Sequence, residues 1–568
     1  MKELVEIRAD TAVTNASAPV RRGSSALAWL GLLCILALYV TSMARLHPTN
    51  FFGFTQDDSI YFSSAKALAE GKGYILPSVP GTPPATKYPI LYPWLLSWVW
   101  RWQPSFPANL SAAVTVNVIF GCLFLTMAYS FLRQVKGLSD ASALALTAFC
   151  AVHPLILVYS ADLMTDVPFA ALSLGSIVLA NRTVEEDAGF MSLASGGILS
   201  GLAILMRVLG VPIAAGLFVA IALRSSWRKA ITFAACVAPF LLGFAWRALS
   251  VISGKAAATT SSCAHSWQMT WLYYTTYSGF WVADTIHNHT FWATLKSNLL
   301  GTLLQPGSYI IQSQFVSPGM LAITLLAILS GVVVLGIIRQ VKLGGWQPAH
   351  VALIFYLLPV LIWDFGARDR FLIPFLPLFA ASLWVEAKQL LGQIRVSLQK
   401  KDSTEEKIAA WFFCLAGVAA LLVAGLSWWR TLDSVRWASK QRGDLIMEKR
   451  EAYDWMRENT PPTAKFIAYE DVTAFLYSAR QGMRPTTFLP AGVYRPEVLS
   501  SNLACITSSA DPLGATYWVV SDDDFGFEWE PATLRARAKE AEMESSLPSL
   551  FRSHQGHVRI YGLDPSGN

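Results

Sequence analysis

Two adjacent carboxylates, Asp57 and Asp58, follow closely on the first hydrophobic segment of the chain. A carboxylate at a membrane surface can accept a proton from a hydroxyl group, or it can bind a divalent cation. The residues behind the pair alternate between an apolar and a polar side, which predicts a short helix lying in the membrane plane. The alternative interpretation is a solvated acidic loop, and the helix favours a functional role.

Asp162 and Asp166 form a second acidic feature, in the turn between two hydrophobic segments. Residues four positions apart share one face of a helix. Asp166 followed by Pro168 is typical of a helix start, where the carboxylate accepts hydrogen bonds from free backbone amides. Capping is therefore one interpretation of Asp166. The other is that Asp166, with Asp162 as a second supporting acid, positions the first loop or joins a metal site.

Arg207, Arg247 and Arg370 lie within hydrophobic segments or at their outer ends. A charge at that depth is expensive unless it is paired or functional. One interpretation is that these side chains extend to the interface. Another is that they bind a phosphate, because the guanidinium fork matches phosphate oxygens in pairs. Arg370 also has acidic neighbours, Asp364 and Asp369, with which it could simply pair.

Three histidines, His265, His287 and His289, are weak candidates for metal ligands. His287 and His289 would face the same side of a strand, where imidazoles can bind a metal. Isolated histidines are more often structural, and the sequence contains no paired Cys/His zinc pattern. The sequence therefore leaves a divalent metal as an open cofactor and predicts no other.

The composition indicates a membrane protein that crosses the bilayer many times. The chain has 568 residues, of which 54% are hydrophobic and 14% charged, and its mean hydropathy is +0.42. Soluble domains carry roughly 25% charged residues. The net charge of +6 is too small over this length to indicate nucleic-acid binding.

We predict about eleven membrane spans, each needing roughly 20 apolar residues. Lysine and arginine collect on one side of these spans, which places the N-terminus in the cytoplasm and the C-terminus outside. The predicted spans lie near 26–46, 110–132, 140–159, 165–181, 190–206, 208–224, 230–249, 318–338, 350–366, 371–387 and 408–428.

The spans divide the chain into a cytoplasmic tail at 1–25, a transmembrane domain at 26–429 and a soluble domain at 430–568. The transmembrane domain includes outer loops at 47–109 and 250–317, and the second loop is rich in aromatic residues. Those aromatics predict anchoring at the interface or a platform on which a sugar stacks. The soluble domain reads as a small α/β fold with strands at 466–469, 517–520 and 558–561. Cys263 and Cys505 both fall outside the membrane, so they could form a disulfide.

These features together resemble the GT-C superfamily of polytopic glycosyltransferases. The nearer resemblance is to the branch of protein mannosyltransferases, lipid A aminoarabinose transferases and related bacterial sugar transferases. The absence of a Trp-Trp-Asp sequence in the tail argues against the oligosaccharyltransferase branch. The matching motifs are Asp57-Asp58 with Tyr61, the turn from Gly71 to Tyr74, Tyr88-Pro-Ile-Leu-Tyr-Pro93, Asp166 at a span start and Arg370-Phe-Leu-Ile-Pro374. Ile90 replaces a proline of the family pattern, and Asp58 stands where glutamate is commoner.

The resemblance implies transfer of a sugar from a polyprenyl-phosphate donor to a hydroxyl group of a lipid, glycan or protein acceptor. The reaction would take place on the outer face of a plasma membrane, specifically the bacterial inner membrane. Membrane lipids would surround the protein there. Asp57 would be the general base, with Asp58 beside it. Arg207, Arg247 and Arg370 would stabilise the leaving phosphate. The alternative functions are a transporter of lipids or sugars and a noncatalytic membrane scaffold.

Overall fold

The structure is a computed structural model. It is mostly helical, with a small sheet near the C-terminus. It describes residues 26–53, 55–186, 189–252, 263, 270–271, 274–276, 291–311, 320–363, 369–399, 404–485, 503–507, 514–525 and 530–563.

The helices before the tail are numbered in chain order. The first seven are α1 (Ala26–Ala44), α2 (Asp57–Ala69), α3 (Leu91–Trp102), α4 (Leu110–Gln134), α5 (Asp140–Ala151), α6 (Pro154–Ala161) and α7 (Asp166–Glu185). The next eight are α8 (Phe190–Met206), α9 (Gly210–Arg224), α10 (Trp227–Ile252), α11 (Phe291–Ile311), α12 (Met320–Gly344), α13 (Pro348–Leu361), α14 (Leu376–Gln399) and α15 (Thr404–Asn459).

Among the described residues, six helices are long and apolar enough to cross a membrane. The number rises to seven if α5 and α6, which meet at a bend of 50°, form one span. The chain is thus a multi-pass membrane protein, but the predicted count of about eleven spans is not confirmed. Helices α8, α9 and α13 coincide with predicted spans yet have only 17, 15 and 14 residues, fewer than the roughly 20 that a perpendicular crossing needs.

Helix α7 is the most enclosed of the candidate spans. Within its most apolar stretch, 83% of the residues are buried inside the protein, compared with 17% for α10. It packs against α4, α8 and the short 3₁₀ helix Asp369–Phe375. Asp166 is the first residue of α7, so its carboxylate lies at the end of the bundle where this helix begins.

Helix α11 lies within the segment that the sequence assigned to the second outer loop. It packs against α12. Lys296, Asn298 and Pro306 interrupt its apolar pattern, which is why the hydropathy of this stretch did not indicate a helix of the bundle.

The predicted helix behind the carboxylate pair exists as α2, but it is not laid on the membrane surface. Residues 58–65 are all buried, because α2 is packed between α3 and the tail helix Asp471–Ser478. Ser59, Ser63 and Ser64 are small enough to allow this close packing, and their hydroxyl groups are buried with them. The start of α2 is therefore positioned by protein contacts.

The tail is an α/β domain that continues directly from α15. This helix runs through residue 430, and the domain boundary placed there remains a prediction. The elements after α15 are β1 (Lys465–Ala468), α16 (Asp471–Ser478), β2 (Gln481–Met483), β3 (Tyr517–Ser521), α17 (Glu530–Glu544), β4 (Ser549–Arg552) and β5 (Val558–Gly562).

The sheet has the strand order β2-β1-β3-β5-β4. Strand β1 pairs in parallel with β2 and β3, whereas β5 pairs antiparallel with β3 and β4. The three strands predicted from the sequence correspond to β1, β3 and β5. A disulfide between Cys263 and Cys505 links the second outer loop to the tail.

Candidate active site

Asp57 is the first residue of α2 and lies where the first loop, the bundle and the tail meet. Its Oδ1 accepts a hydrogen bond of 2.6 Å from the hydroxyl group of Tyr88. Its Oδ2 lies 3.6 Å from Nη2 of Arg370, and the carboxyl side chain keeps 17% of its surface exposed. The preceding residue, Gln56, donates from its side-chain amide to the backbone carbonyl of Tyr469 in the tail. Asp57 is therefore oriented by three parts of the chain while it remains accessible.

A line of alternating charges leads from Asp57 into the bundle. Nη1 of Arg370 lies 4.0 Å from Oδ2 of Asp166, and Arg207 donates from Nη1 to Oδ1 of the same carboxylate. The Arg207 and Arg370 guanidinium groups lie 5.4 and 5.6 Å from the ring centre of Phe371. The structure thus brings together four of the predicted site residues, which come from four separate segments.

The partners of Arg370 in this cluster are Asp57 and Asp166, which are distant from it in sequence. Pairing with Asp364 or Asp369 is the alternative that the sequence suggests, and Asp364 lies outside the described residues. These distances place Arg370 between the partly exposed carboxylate of Asp57 and the buried carboxylate of Asp166.

Asp58 and Asp162 form a separate, buried pair. Asp58 is fully buried and accepts hydrogen bonds from the backbone amides of Gly53 and Ser59. Oδ2 of Asp162 accepts a hydrogen bond of 2.9 Å from the hydroxyl group of Thr55. Burial raises the pKa of Asp58 to about 6. Burial and the neighbouring Asp58 together raise the pKa of Asp162 well above its usual range.

This placement differs from the expectation that Asp58 works beside Asp57. A fully buried carboxyl group that accepts two backbone hydrogen bonds has no access to an incoming hydroxyl group. Thr55 lies in the turn before α2 and Asp162 in the turn before α7. Their hydrogen bond therefore joins the two turns that precede Asp57 and Asp166.

Lys87 is a site residue that the sequence analysis did not single out. It is buried, with 5% of its surface exposed, and its Nζ lies 5.1 Å from the ring centre of Tyr88. Burial lowers the pKa of Lys87 to about 7; Asp57 opposes this change, and the positive charges of Arg484 and Arg370 contribute to it. The feature of the sequence that could have identified Lys87 as a site residue is its position directly before Tyr88-Pro89.

The remaining predicted residues lie elsewhere or outside the described part of the chain. Arg247 donates from Nη2 to the backbone carbonyl of Tyr74 at 3.0 Å, so it contacts the turn that follows α2. His265, His287 and His289 are outside the described residues. Within the described ranges, no group of three or more His, Cys, Asp or Glu side chains is arranged to bind a metal ion.

Comparison with known proteins shows similarity in structure. No protein-family model matches the sequence, and no curated protein matches it. The chain superimposes on ArnT from Cupriavidus metallidurans bound to undecaprenyl phosphate with a TM-score of 0.51 and 12% identity, covering 95% of this chain and 99% of ArnT. ArnT is a lipid A aminoarabinose transferase.

The Archaeoglobus fulgidus oligosaccharyltransferase, tethered to an acceptor peptide, gives a TM-score of 0.51 and 14% identity, covering 94% of this chain and 74% of that one. The same organism's AglB, in complex with an inhibitory peptide and a dolichol-phosphate, gives 0.51 and 13%, covering 96% and 75%. These identities are low, and the similarity extends along nearly the whole chain. The chain therefore shares its overall fold with ArnT and with the archaeal oligosaccharyltransferase.

Proposed function

We propose that this protein is a glycosyltransferase that moves a sugar from a polyprenyl-phosphate donor to a hydroxyl group of a lipid, glycan or protein acceptor. The observation that carries the proposal is the position of Asp57. Its carboxylate is partly exposed, held by Tyr88 and Arg370, and surrounded by cations that lie deeper in the protein.

In the proposed reaction, Asp57 accepts the proton of the acceptor hydroxyl group. The acceptor oxygen then forms a bond to the anomeric carbon of the sugar. The bond between that carbon and the phosphate oxygen breaks, and its electron pair leaves with the polyprenyl phosphate. General-base assistance of this kind contributes about 10²–10⁴-fold to a rate.

The leaving phosphate gains negative charge, and buried cations stabilise such charge more strongly than water does. Arg370 and Lys87 are the best-placed groups for this role. The charge of Asp57 acts on both, and Arg370 already lies within 3.6 Å of it. Arg207 is bonded to Asp166, so its contribution is to keep Asp166, and through it Arg370, in place. Arg247 is placed for contact with the first loop rather than with this cluster.

The fold supports a lipid-linked donor. ArnT, which shares it, was crystallised with undecaprenyl phosphate, and AglB with a dolichol-phosphate. A donor of this type reaches the site from the membrane, which suits the outer end of a multi-pass bundle. We place the reaction on the extracytoplasmic face of a bacterial inner membrane, with about eleven crossings and the tail outside.

The test is a turnover assay with the protein in lipid nanodiscs. Undecaprenyl-phosphate sugars are supplied as donors, and release of undecaprenyl phosphate is measured with and without extracts of envelope lipids and glycans as acceptors. We expect release that depends on acceptor and is lost in Asp57→Asn. A transporter would instead move the donor across proteoliposomes without cleaving it, and that result with no release would overturn the proposal.

A further inference from the structure

Gln56, the residue directly before Asp57, has a backbone conformation that residues with a side chain rarely adopt. Its φ is 62° and its ψ is −33°. In this range of φ, the Cβ atom of any residue other than glycine crowds the neighbouring backbone. Such a conformation persists only where the surrounding structure imposes it, and it is found most often at functional sites. The contacts of Gln56 and its neighbours show what imposes it here.

The two neighbours of Gln56 are bound to different partners. On one side, Thr55 donates from its hydroxyl group to Asp162 at 2.9 Å. On the other side, Asp57 accepts a hydrogen bond from Tyr88 at 2.6 Å. Rotation about the N–Cα bond of Gln56 would turn these neighbours relative to each other, so the two hydrogen bonds could not both survive it. The φ of Gln56 therefore determines where the carboxylate of Asp57 points.

Gln56 also connects the first turn of α2 to the tail. Its backbone carbonyl accepts hydrogen bonds from the hydroxyl group of Ser59 at 2.9 Å and from the backbone amide of Ile60 at 3.0 Å. Its side chain is buried, with 6% of the residue's surface exposed, and donates from Nε2 to the backbone carbonyl of Tyr469. One residue thus joins the helix start that carries Asp57 to a carbonyl group of the tail.

Tyr469 follows directly after β1, and its ring packs within the tail. The ring centre lies 4.7 Å from that of Phe525, and the guanidinium carbon of Arg484 lies 4.6 Å from it. Helix α16, which begins two residues after Tyr469, packs against α2. The carbonyl group that accepts from Gln56 is therefore held by the sheet of the tail on one side and by α16 on the other.

We propose that Gln56 is a positioning residue for Asp57, and that the tail holds Asp57 in its reactive orientation through the carbonyl group of Tyr469. The tail then contributes to the reaction without contacting the reacting atoms. The proposal rests on the proposed function, in which Asp57 is the general base.

Two replacements of Gln56 separate the effect of its side chain from that of its backbone. Gln56→Ala removes the hydrogen bond to the tail and keeps the unfavourable φ. Gln56→Gly removes the same hydrogen bond, but glycine adopts this φ without crowding. Gln481→Ala is the matched control, because Gln481 also donates from Nε2 to a backbone carbonyl of the first loop, that of Pro77, at 3.0 Å. It joins the same two parts of the chain at a point well away from Asp57 in sequence.

Two quantities are measured on the full chain in lipid nanodiscs. The first is turnover of undecaprenyl-phosphate sugars, resolved into kcat and KM. The second is hydrogen exchange of the backbone amides at 57–62, followed by mass spectrometry. We expect Gln56→Ala to lower kcat with KM unchanged, and to speed exchange about 3- to 10-fold, the value of a single hydrogen bond. Gln56→Gly should recover most of both losses, and Gln481→Ala should match the parent protein.

Hydrogen exchange does not depend on turnover, so it tests the positioning role separately from the transferase activity. A parent protein that releases no undecaprenyl phosphate would count against the proposed function alone. Exchange in Gln56→Ala equal to that of the parent would overturn the positioning role. The same holds for equal losses in Gln56→Ala and Gln56→Gly, for an equal loss in Gln481→Ala, and for a rise in KM with kcat unchanged.

Discussion

Arg370 lies between the carboxylates of Asp57 and Asp166, with Nη2 3.6 Å from Oδ2 of the first and Nη1 4.0 Å from Oδ2 of the second. Asp57 begins a helix of the outer loop, and Asp166 begins the most enclosed helix of the bundle. One guanidinium group therefore connects the partly exposed carboxylate of Asp57 to the enclosed helix α7. If Asp57 is the base, its orientation depends on this connection.

Asp57→Asn should abolish sugar transfer while the protein still inserts and folds. The amide retains the shape of the side chain but cannot accept a proton, so we expect turnover to fall about 10²–10⁴-fold. Asp454→Asn is a suitable control, because Asp454 is half-exposed on α15 and far along the chain from the cluster. Initial rates and thermal stability are measured on both variants. Near-normal turnover in Asp57→Asn would show that Asp57 is not the base and that another acid has this role.

Replacing Arg370 should weaken binding of polyprenyl phosphate. Arg370→Lys keeps the charge but loses the paired donors of the fork, so a moderate loss is expected. Arg370→Ala should cost about 10- to 100-fold in affinity, the value of a hydrogen bond to a charged group. Titration calorimetry with undecaprenyl phosphate provides the measurement.

The competing role of Arg370 is only to neutralise Asp57 and Asp166. Arg370→Ala combined with Asp166→Asn distinguishes the two, because the double variant removes one charge of each sign. Restored stability with affinity still reduced supports phosphate binding. If Arg370→Ala is folded and binds the lipid as tightly as the parent protein, Arg370 is not a phosphate ligand.

Tyr88→Phe should lower turnover with little change in stability. The phenylalanine ring preserves the edge contact with Tyr61, whose ring centre lies 5.0 Å away, while the hydrogen bond to Asp57 is lost. A reduction of about 10- to 100-fold in kcat is expected for loss of a hydrogen bond to a carboxylate. Tyr92→Phe is the control, because its hydroxyl group donates to Asn117. If both variants lose turnover equally, the effect of Tyr88 does not act through Asp57.

The motif in the first loop singled out Asp57, and the charges at span ends singled out Asp166, Arg207 and Arg370, which the structure brings together. Their mutual pairing could not be predicted, because it depends on how four separate helix ends converge in space. Pairing with Asp364 or Asp369, which are close in sequence, was one alternative for Arg370. The burial of Asp58 could not be predicted for a related reason: adjacent residues at a helix start point in different directions, and only packing decides which one is buried.

Three strands of the tail could also be predicted, since β1, β3 and β5 are short runs rich in β-branched and aromatic residues. The predicted number of membrane crossings is not confirmed, because helices of 14 to 17 residues carry the same apolar signal as full spans. Lys87 was missed because nothing in a single lysine indicates burial. Its role depends on the tail and the bundle enclosing the first loop from both sides.

The disulfide between Cys263 and Cys505 provides a test of topology. Disulfides persist in oxidising compartments and are rare in the cytoplasm, so its formation in cells requires both residues to face outward. In a variant whose other cysteines (Cys34, Cys122, Cys150, Cys236 and Cys414) are replaced by alanine, maleimide should label intact cells only after reduction. A reporter fused after Asn568 should likewise be active only outside. Labelling without reduction, or a reporter active in the cytoplasm, would contradict the proposed orientation.

The affinity for polyprenyl phosphate should fall as the pH rises through about 7, because of Lys87. Its pKa is lowered to about 7 by burial, so the side chain of the free protein is an ammonium ion below that pH and neutral above it. A phosphate binds the ammonium form. Each pH unit above 7 should therefore weaken binding by up to about tenfold, until the pKa that Lys87 has in the complex is reached.

The ligand itself also titrates in this range, since the second ionisation of a phosphate monoester has a pKa of about 6. Lys87→Arg separates the two effects, because arginine remains charged throughout. Dissociation constants for undecaprenyl phosphate are measured from pH 6 to 8.5 on both proteins, with Lys87→Met as an uncharged reference. The wild-type curve should fall away from the Lys87→Arg curve above about pH 7 and approach that of Lys87→Met. Parallel curves for wild type and Lys87→Arg would show that Lys87 does not contact the phosphate. Of the two cations, only Arg370 would then stabilise the leaving phosphate.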